Sequence, residues 1–210
     1  MSFPPSKDAA DQNQDGPLAQ TGRLLKSLIQ QPAVVASIAP SSRFVLQKLA
    51  AIASDPQLRR VIELGPGTGG TTRSLLRELP LTAGLLAVEM VEEFVQHLRR
   101  IDDPRLIVHH GSATHLRSIL EQYQWPDVDL VVSGIPFSTL AEADAHELIQ
   151  VIHHVLRPGG QLLGYQVRDH ISRYAQPYFG PPVTELELRN LPPLRIYRWK
   201  KPKTGNADEQ

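Results

Sequence analysis

The run Val61-Ile62-Glu63-Leu64-Gly65-Pro66-Gly67-Thr68-Gly69-Gly70 constrains this chain more than any other segment. It reads as a buried strand that turns sharply through glycines into a helix carrying Leu75, Leu76 and Leu79 on one face. Glycine lets the backbone turn where a side chain would clash and lets it approach a ligand closely. Thr71 and Thr72 can open the helix as caps. A strand, a glycine turn and a helix in that order have the shape of a nucleotide-binding loop.

The rest of the chain repeats the alternation. An apolar segment, Leu85 to Val88, ends at Glu89 and is followed by Val91, Phe94, Val95 and Leu98 at helical spacing. A short strand over Leu106 to His109 precedes a helix through Leu116, Ile119, Leu120 and Tyr123. The apolar run Val128 to Val132 reads as the next strand. Leu148, Ile149, Ile152, Val155 and Leu156 then recur at helix spacing, and Pro158-Gly159-Gly160 separates them from a strand over Gln161 to Val167. Val183 to Leu188 and Leu194 to Trp199 read as an antiparallel pair. Strands separated by helices pair in parallel through right-handed crossovers. The expected fold is therefore α/β, a doubly wound, Rossmann-like sheet, mostly parallel, with an antiparallel C-terminal hairpin and N-terminal helices. Its ligand belongs outside the carboxyl ends of the strands.

Two cofactor classes compete for the glycine loop. Gly65, Gly67 and Gly70 satisfy the dinucleotide spacing, and Glu89 follows at roughly the 20 residues expected of a ribose-binding acid. Glu63, however, stands just before Gly65, Gly67 and Gly69, where a carboxylate would repel a pyrophosphate. It suits a cationic ligand instead. S-adenosylmethionine carries an ammonium and a sulfonium and no phosphate, so Glu63 at the loop and Glu89 for the ribose form one coherent site.

Composition limits what else the chain can be. At 210 residues and 41% hydrophobic content it can bury one core, so the reading is a single domain with frayed ends. Residues 1–16 and 203–210 are polar and expected to be disordered, 17–56 are expected to form an amphipathic helix and lid helices, and 57–202 the catalytic domain. The absence of cysteine excludes disulfides and thiolate chemistry. No apolar run approaches the roughly 20 residues of a membrane span. His109-His110 and His153-His154 are adjacent pairs whose side chains diverge, so no metal is expected.

Net charge is zero, but it is unevenly spread. Between Pro17 and Arg60 stand six basic residues against one acid, and between Glu185 and Lys203 six against two. Leu18, Leu24, Leu25, Leu28 and Ile29, with Arg23 and Lys26 beside them, describe a basic amphipathic helix. Such a helix can pack over its own domain or lie against anionic lipid head groups. The expectation is a cytoplasmic protein, peripheral on the inner face of the cell membrane.

The loop Glu63 to Gly70 together with Glu89 resembles that of class I S-adenosylmethionine-dependent methyltransferases. Three further stretches narrow the resemblance: Arg23 to Arg43, including Ile38-Ala39-Pro40-Ser41-Ser42-Arg43; Ser133-Gly134-Ile135-Pro136-Phe137; and Asn190-Leu191-Pro192-Pro193 with the strand Ile196 to Trp199. These resemble segments of bacterial phospholipid N-methyltransferases, which methylate phosphatidylethanolamine stepwise at the membrane. The resemblance implies S-adenosyl-L-methionine as cofactor, held by Glu63, Gly65, Gly67, Gly69, Glu89, Met90, Ser112, Ala113 and Ser133. It implies a phospholipid or other amine substrate held by Ser133 and the backbone of Gly134 and Ile135, with Phe137 bounding the pocket and Tyr165 offering an aromatic face to a cationic amine. Where many class I enzymes carry an acid for the adenine amino group, this chain has Gly111-Ser112-Ala113, and Ser112 can accept that bond. Ser41 and Ser42 are expected to cap a helix over Arg43 to Ile52.

A second resemblance stays open beside the first. Val131 to Phe137 is similar to the Asn-Ile-Pro-Phe loop of rRNA adenine N6-dimethyltransferases, but Ser133-Gly134 stands at the asparagine, so a flipped adenine loses an anchor. Basic ends attract RNA phosphates and anionic lipids alike. A third reading is a membrane-binding protein with this fold and no turnover.

Overall fold

Seven strands and six helices alternate along residues 42–203, the part of the chain that this computed structural model describes. β1 (Arg60–Leu64), β2 (Gly84–Glu89), β3 (Leu106–His110), β4 (Val128–Ser133) and β5 (Leu156–Gln166) run parallel, while β6 (Val183–Glu187) and β7 (Leu194–Lys200) close the sheet antiparallel. The order across the sheet is β3-β2-β1-β4-β5-β7-β6. Winding reverses between β1 and β4, and that reversal opens a crevice outside their carboxyl ends. The helices are α1 (Arg43–Ala53), α2 (Gly70–Glu78), α3 (Glu92–Leu98), α4 (Leu116–Gln122), α5 (Glu142–Val155) and α6 (Ile171–Phe179). The doubly wound sheet and its closing hairpin are those expected from the sequence.

Strand alternation divides the core into two layers. Ile62, Leu64, Leu86, Val88, Val131, Leu162, Tyr197 and Trp199 face α4, α5 and α6. Val61, Leu85, Leu130, Val132, Leu163 and Ile196 face the other way, against Val45 and Leu49 of α1 and Leu75 and Leu76 of α2. Helix α1 is thus part of the same core, and the domain boundary expected at residue 57 falls inside it. Asp129 ties the strand entrances together: its Oδ2 accepts the backbone N–H groups of Arg59 and Arg60, each at 2.7 Å, and Arg157 pairs with its Oδ1.

Three local expectations are corrected. Ser42 occupies the N-cap position of α1, but its hydroxyl makes no capping bond; its backbone N–H instead donates to Asn190 Oδ1 at 2.7 Å, tying the start of α1 to the β6–β7 turn. Leu156 begins β5 rather than ending α5, and Pro158-Gly159-Gly160 lies within the strand as an irregularity in the pairing with β4. Gly160 is required there because a Cβ would stand 2.9 Å from the Arg157 carbonyl and 3.1 Å from that of Asp129. Helix α6 is an addition, with Pro177 inside it. The amphipathic segment over Leu18 to Ile29, Ser41 and the tails 1–16 and 204–210 lie outside the described residues. Among the described residues no helix is long and apolar enough to cross a membrane.

Candidate active site

The parallel register brings the ends of five strands to one rim. Leu64 pairs with Val88 and Ser133, Glu89 with His110, and Ser133 with Gly164. The residues after each strand, Gly65, Met90, Ser112, Gly134 and Tyr165 near its strand end, therefore stand side by side.

The glycine loop lies over the β1/β4 reversal. Gly65, Gly67 and Gly69 have φ of +70°, +57° and +82°, a region that side-chain-bearing residues rarely adopt. Gly69, not Thr71 or Thr72, is the N-cap of α2. The loop is pinned on both flanks: Gly65 N–H donates to the Val88 carbonyl at 3.0 Å, and the Gly134 N–H donates to the Leu64 carbonyl at 2.9 Å. A Cβ at Gly67 or Gly70 would meet nothing within 4 Å, so the loop presents bare backbone to open space.

The two expected carboxylates stand on either side of this loop. Glu89 is 5% exposed, and its carboxylate accepts from Gly67 N–H at 3.0 Å and from Met90 and Val91 N–H at 2.9 Å. Burial pushes its carboxyl upward and these three donors pull it back. Glu63 is fully buried, Thr72 Oγ1 donates to its Oε2 at 2.7 Å, and its Oε1 has no partner. Burial, reinforced by the Glu89 charge and opposed by Thr72, raises its pKa to about 8. A buried carboxylate oxygen without a donor, beside an open glycine cradle, fits a ligand that brings a cationic N–H.

On the β4 side, Gly134 and Tyr165 are fitted to each other. A Cβ on Gly134 would stand 2.8 Å from Tyr165 Cζ, still closer to its hydroxyl, and 3.0 Å from the Gly65 carbonyl. The Tyr165 hydroxyl lies 3.3 Å from Thr71 Oγ1, and burial together with the Glu63 charge pushes its pKa up. The hydroxyl, rather than the ring face, is what reaches the loop. Gln166, 7% exposed, donates from Nε2 to the Ile135 carbonyl at 2.5 Å and fixes the loop after β4.

Not every expected residue joins this group. Ser133 is fully buried with its hydroxyl unpartnered, but it lies beside Leu64 on the α4–α6 face of the sheet, opposite Glu63 and Tyr165. Phe137 is 1% exposed and packs against Tyr174 with ring centroids 6.1 Å apart, so it anchors the loop to α6. Ser112 Oγ accepts from Thr114 N–H at 3.3 Å and caps the 3-10 turn Ala113–His115, while Ala113 joins the core. The Met90 carbonyl lies 3.2 Å from His110 Nε2. Sequence reasoning missed Gln166 and the roles of Thr71 and Thr72. A polar residue ending an apolar strand, and hydroxyls in the first helical turn after a buried acid, were the available signals.

Comparisons agree with this geometry. Residues 61–160 match the profile of a family described as Methyltransferase domain. An ornithine lipid N-methyltransferase of Singulisphaera acidiphila is 28% identical over 166 residues, covering 78% of this chain and 86% of that protein. Ribosomal RNA small subunit methyltransferase A of Cupriavidus metallidurans is 45% identical over 62 residues, but the match covers 29% of this chain and only 21% of that enzyme. Among solved structures, the O-methyltransferase TomG of Streptomyces achromogenes, in complex with SAM, superposes with a TM-score of 0.61 at 17% identity, covering 90% of this chain and 91% of that one. The N-methyltransferase NodS of Bradyrhizobium japonicum gives 0.59 at 14% identity, covering 77% and 96%.

Sheet order, glycine cradle and flanking acids are those of a Rossmann-like methyltransferase. The chain carries a methyltransferase domain over residues 61–160 and is an S-adenosylmethionine-dependent methyltransferase, with S-adenosyl-L-methionine as its cofactor.

Proposed function

We propose that the enzyme methylates the amine of a membrane aminolipid, phosphatidylethanolamine or an ornithine lipid, at a membrane surface. The observation that carries the reading is the fit of Gly134 against Tyr165. A side chain at 134 would collide with the tyrosine and with the Gly65 carbonyl, so no amide can stand there to anchor an adenine. The backbone carbonyls of Gly134 and Ile135 and the Tyr165 phenol beside them suit a small amine on a flexible stem. The relative from Singulisphaera acidiphila, matched along most of both chains, is named for a lipid amine.

The residues present fit the cofactor. Glu63 Oε1 would accept from its ammonium, the Glu89 carboxylate from its ribose hydroxyls, and the backbone of Gly65 to Gly70 would lie along it, with Met90, Ser112 and Ala113 on the adenine side. Bound there, S-adenosylmethionine supplies an electrophilic methyl on a sulfonium.

The protein's own groups prepare the amine. The carbonyls of Gly134 and Ile135 can accept its N–H bonds and aim its lone pair, and Gln166 holds the second of them in place. An ammonium must lose a proton before it can attack, and entry into a pocket poor in water favours the neutral amine. Tyr165 stays protonated because its pKa is raised, so it accepts a hydrogen bond from the amine without taking the proton, which leaves to solvent. Presenting purified enzyme and labelled cofactor with phosphatidylethanolamine and ornithine lipid in anionic vesicles tests this. Label in the organic phase supports the reading, and label found only in an rRNA fragment overturns it.

A further inference from the structure

Of the five large apolar side chains exposed among the described residues, Leu81 stands by itself just before β2, and Val183, Leu186, Leu188 and Leu191 lie on β6 and the turn that follows it. Leu188 and Leu191 are 70% and 90% exposed, and both lie in the β6–β7 turn; Leu186, half exposed, leads into it. β6 is an edge strand, and its Leu186 pairs across from Arg195 on β7. The turn lies at the active-site rim, because β7 enters beside the end of β5, with Gln166 opposite Arg195 and Tyr165 opposite Ile196. Adjacent strands are about 4.8 Å apart, which puts the turn roughly 5 to 10 Å to the side of Tyr165.

The charge around these leucines is positive. The Arg189 guanidinium lies 3.8 Å over the Phe44 ring and that of Arg43 4.8 Å from it, and Arg195 reaches the carbonyl of Val167, next to exposed Arg168. Against these four and Lys48 stand Asp169, Glu185 and Glu187; Lys48 bridges the two glutamates, and Arg189 also holds Glu187. Apolar side chains ringed by guanidiniums suit a surface that is anionic outside and apolar beneath. The described chain also begins here, since the Ser42 backbone N–H donates to Asn190 Oδ1.

We propose that the β6–β7 turn, through Leu188 and Leu191 and the surrounding arginines, docks the enzyme onto a bilayer carrying anionic lipid, with the acceptor opening facing the head groups. The proposal rests on the aminolipid reading for its purpose, and vesicle binding tests it separately. Full-length protein with Leu188→Gln and Leu191→Gln is sedimented with vesicles of phosphatidylglycerol and phosphatidylcholine. Loss of two inserted leucines lowers partitioning at least about tenfold, while affinity for S-adenosylhomocysteine and methylation of a monomeric short-chain aminolipid stay at the wild-type level. Unchanged partitioning overturns the proposal. With Leu191→Trp, the spectrum corrected for the native tryptophans shifts to the blue only when vesicles are added. A spectrum already shifted in vesicle-free buffer means that the chain's own N-terminal segment or a second copy covers the turn, which overturns it as well. Absence of transfer to the monomeric aminolipid by the wild type overturns the substrate reading instead and leaves the partitioning result intact.

Discussion

Replacing Glu63 by Gln removes the one buried carboxylate whose ionisation the cofactor should control. With a pKa of about 8, Glu63 is mostly protonated at neutral pH in the free protein. An ammonium bound at Oε1 needs the ionised form, so binding must expel a proton. At pH 6 the ionised fraction is about one in a hundred and at pH 7.5 about one in four, so affinity should rise on the order of 25-fold between them. A carboxyl with an ordinary pKa would give a flat profile there. Above pH 8 the cofactor's own amino group loses its charge, so the profile should turn over. Calorimetric titration with S-adenosylhomocysteine at pH 6.5, in two buffers of different ionisation enthalpy, counts the protons released. We expect close to one for the wild type, none for Glu63→Gln, and a weaker, flat affinity for the variant. No proton release by the wild type, with a flat profile from pH 6 to pH 7.5, would refute the assignment of Glu63 to the ammonium.

The same group contributes to the pH dependence of the free protein's stability. A carboxyl whose pKa rises from 4.5 in the unfolded chain to about 8 in the fold keeps its proton on folding, so its contribution is complete below the unfolded value and is lost as pH rises from 4.5 to 8, by up to about 5 kcal/mol. Chemical denaturation across that range should show the decline in the wild type and a shallower one in Glu63→Gln. Gly134→Ala pushes a methyl into the Tyr165 ring and hydroxyl, so turnover should fall on the order of 100-fold for a stability cost of about 1 to 3 kcal/mol, with Tyr165→Phe in the same chain relieving only part of the loss. Kinetics paired with thermal melts separates the two effects, and full activity in Gly134→Ala would contradict the fit described. Asp129→Ala leaves the N–H groups of Arg59 and Arg60 without their acceptor and should destabilise by about 2 to 4 kcal/mol while sparing cofactor affinity per folded molecule.

The strands were legible because a parallel sheet buried on both faces demands continuous apolar runs, as in Val128 to Val132 and Leu85 to Val88. The glycine loop and its two acids were legible because backbone angles and charge restrict what can stand there. Helix α6 escaped notice because it is nine residues long and holds Pro177, so it lacks a sustained period and depends on Ile171, Tyr174 and Ala175 packing into the core. The Pro158-Gly159-Gly160 break concealed the start of β5 because Gly159, at φ +81°, turns within the strand without ending it. Thr72 was read as a cap because local sequence gives no sign of Glu63 beneath the helix. The placement of Ser133 opposite Tyr165 follows from strand alternation, but only once the register of β4 against β5 is known. The pairing of Gly134 with Tyr165 joins residues far apart in the chain, and only the β4–β5 register brings them together.

We propose that this methyltransferase acts on a lipid amine. Incubating the purified full chain with methyl-labelled S-adenosylmethionine and anionic vesicles containing phosphatidylethanolamine or ornithine lipid, beside a matched rRNA fragment, tests it most directly. The expected result is label in the lipid head group and none in RNA; label in RNA, or none in lipid from enzyme that binds the cofactor, would contradict the lipid-amine assignment.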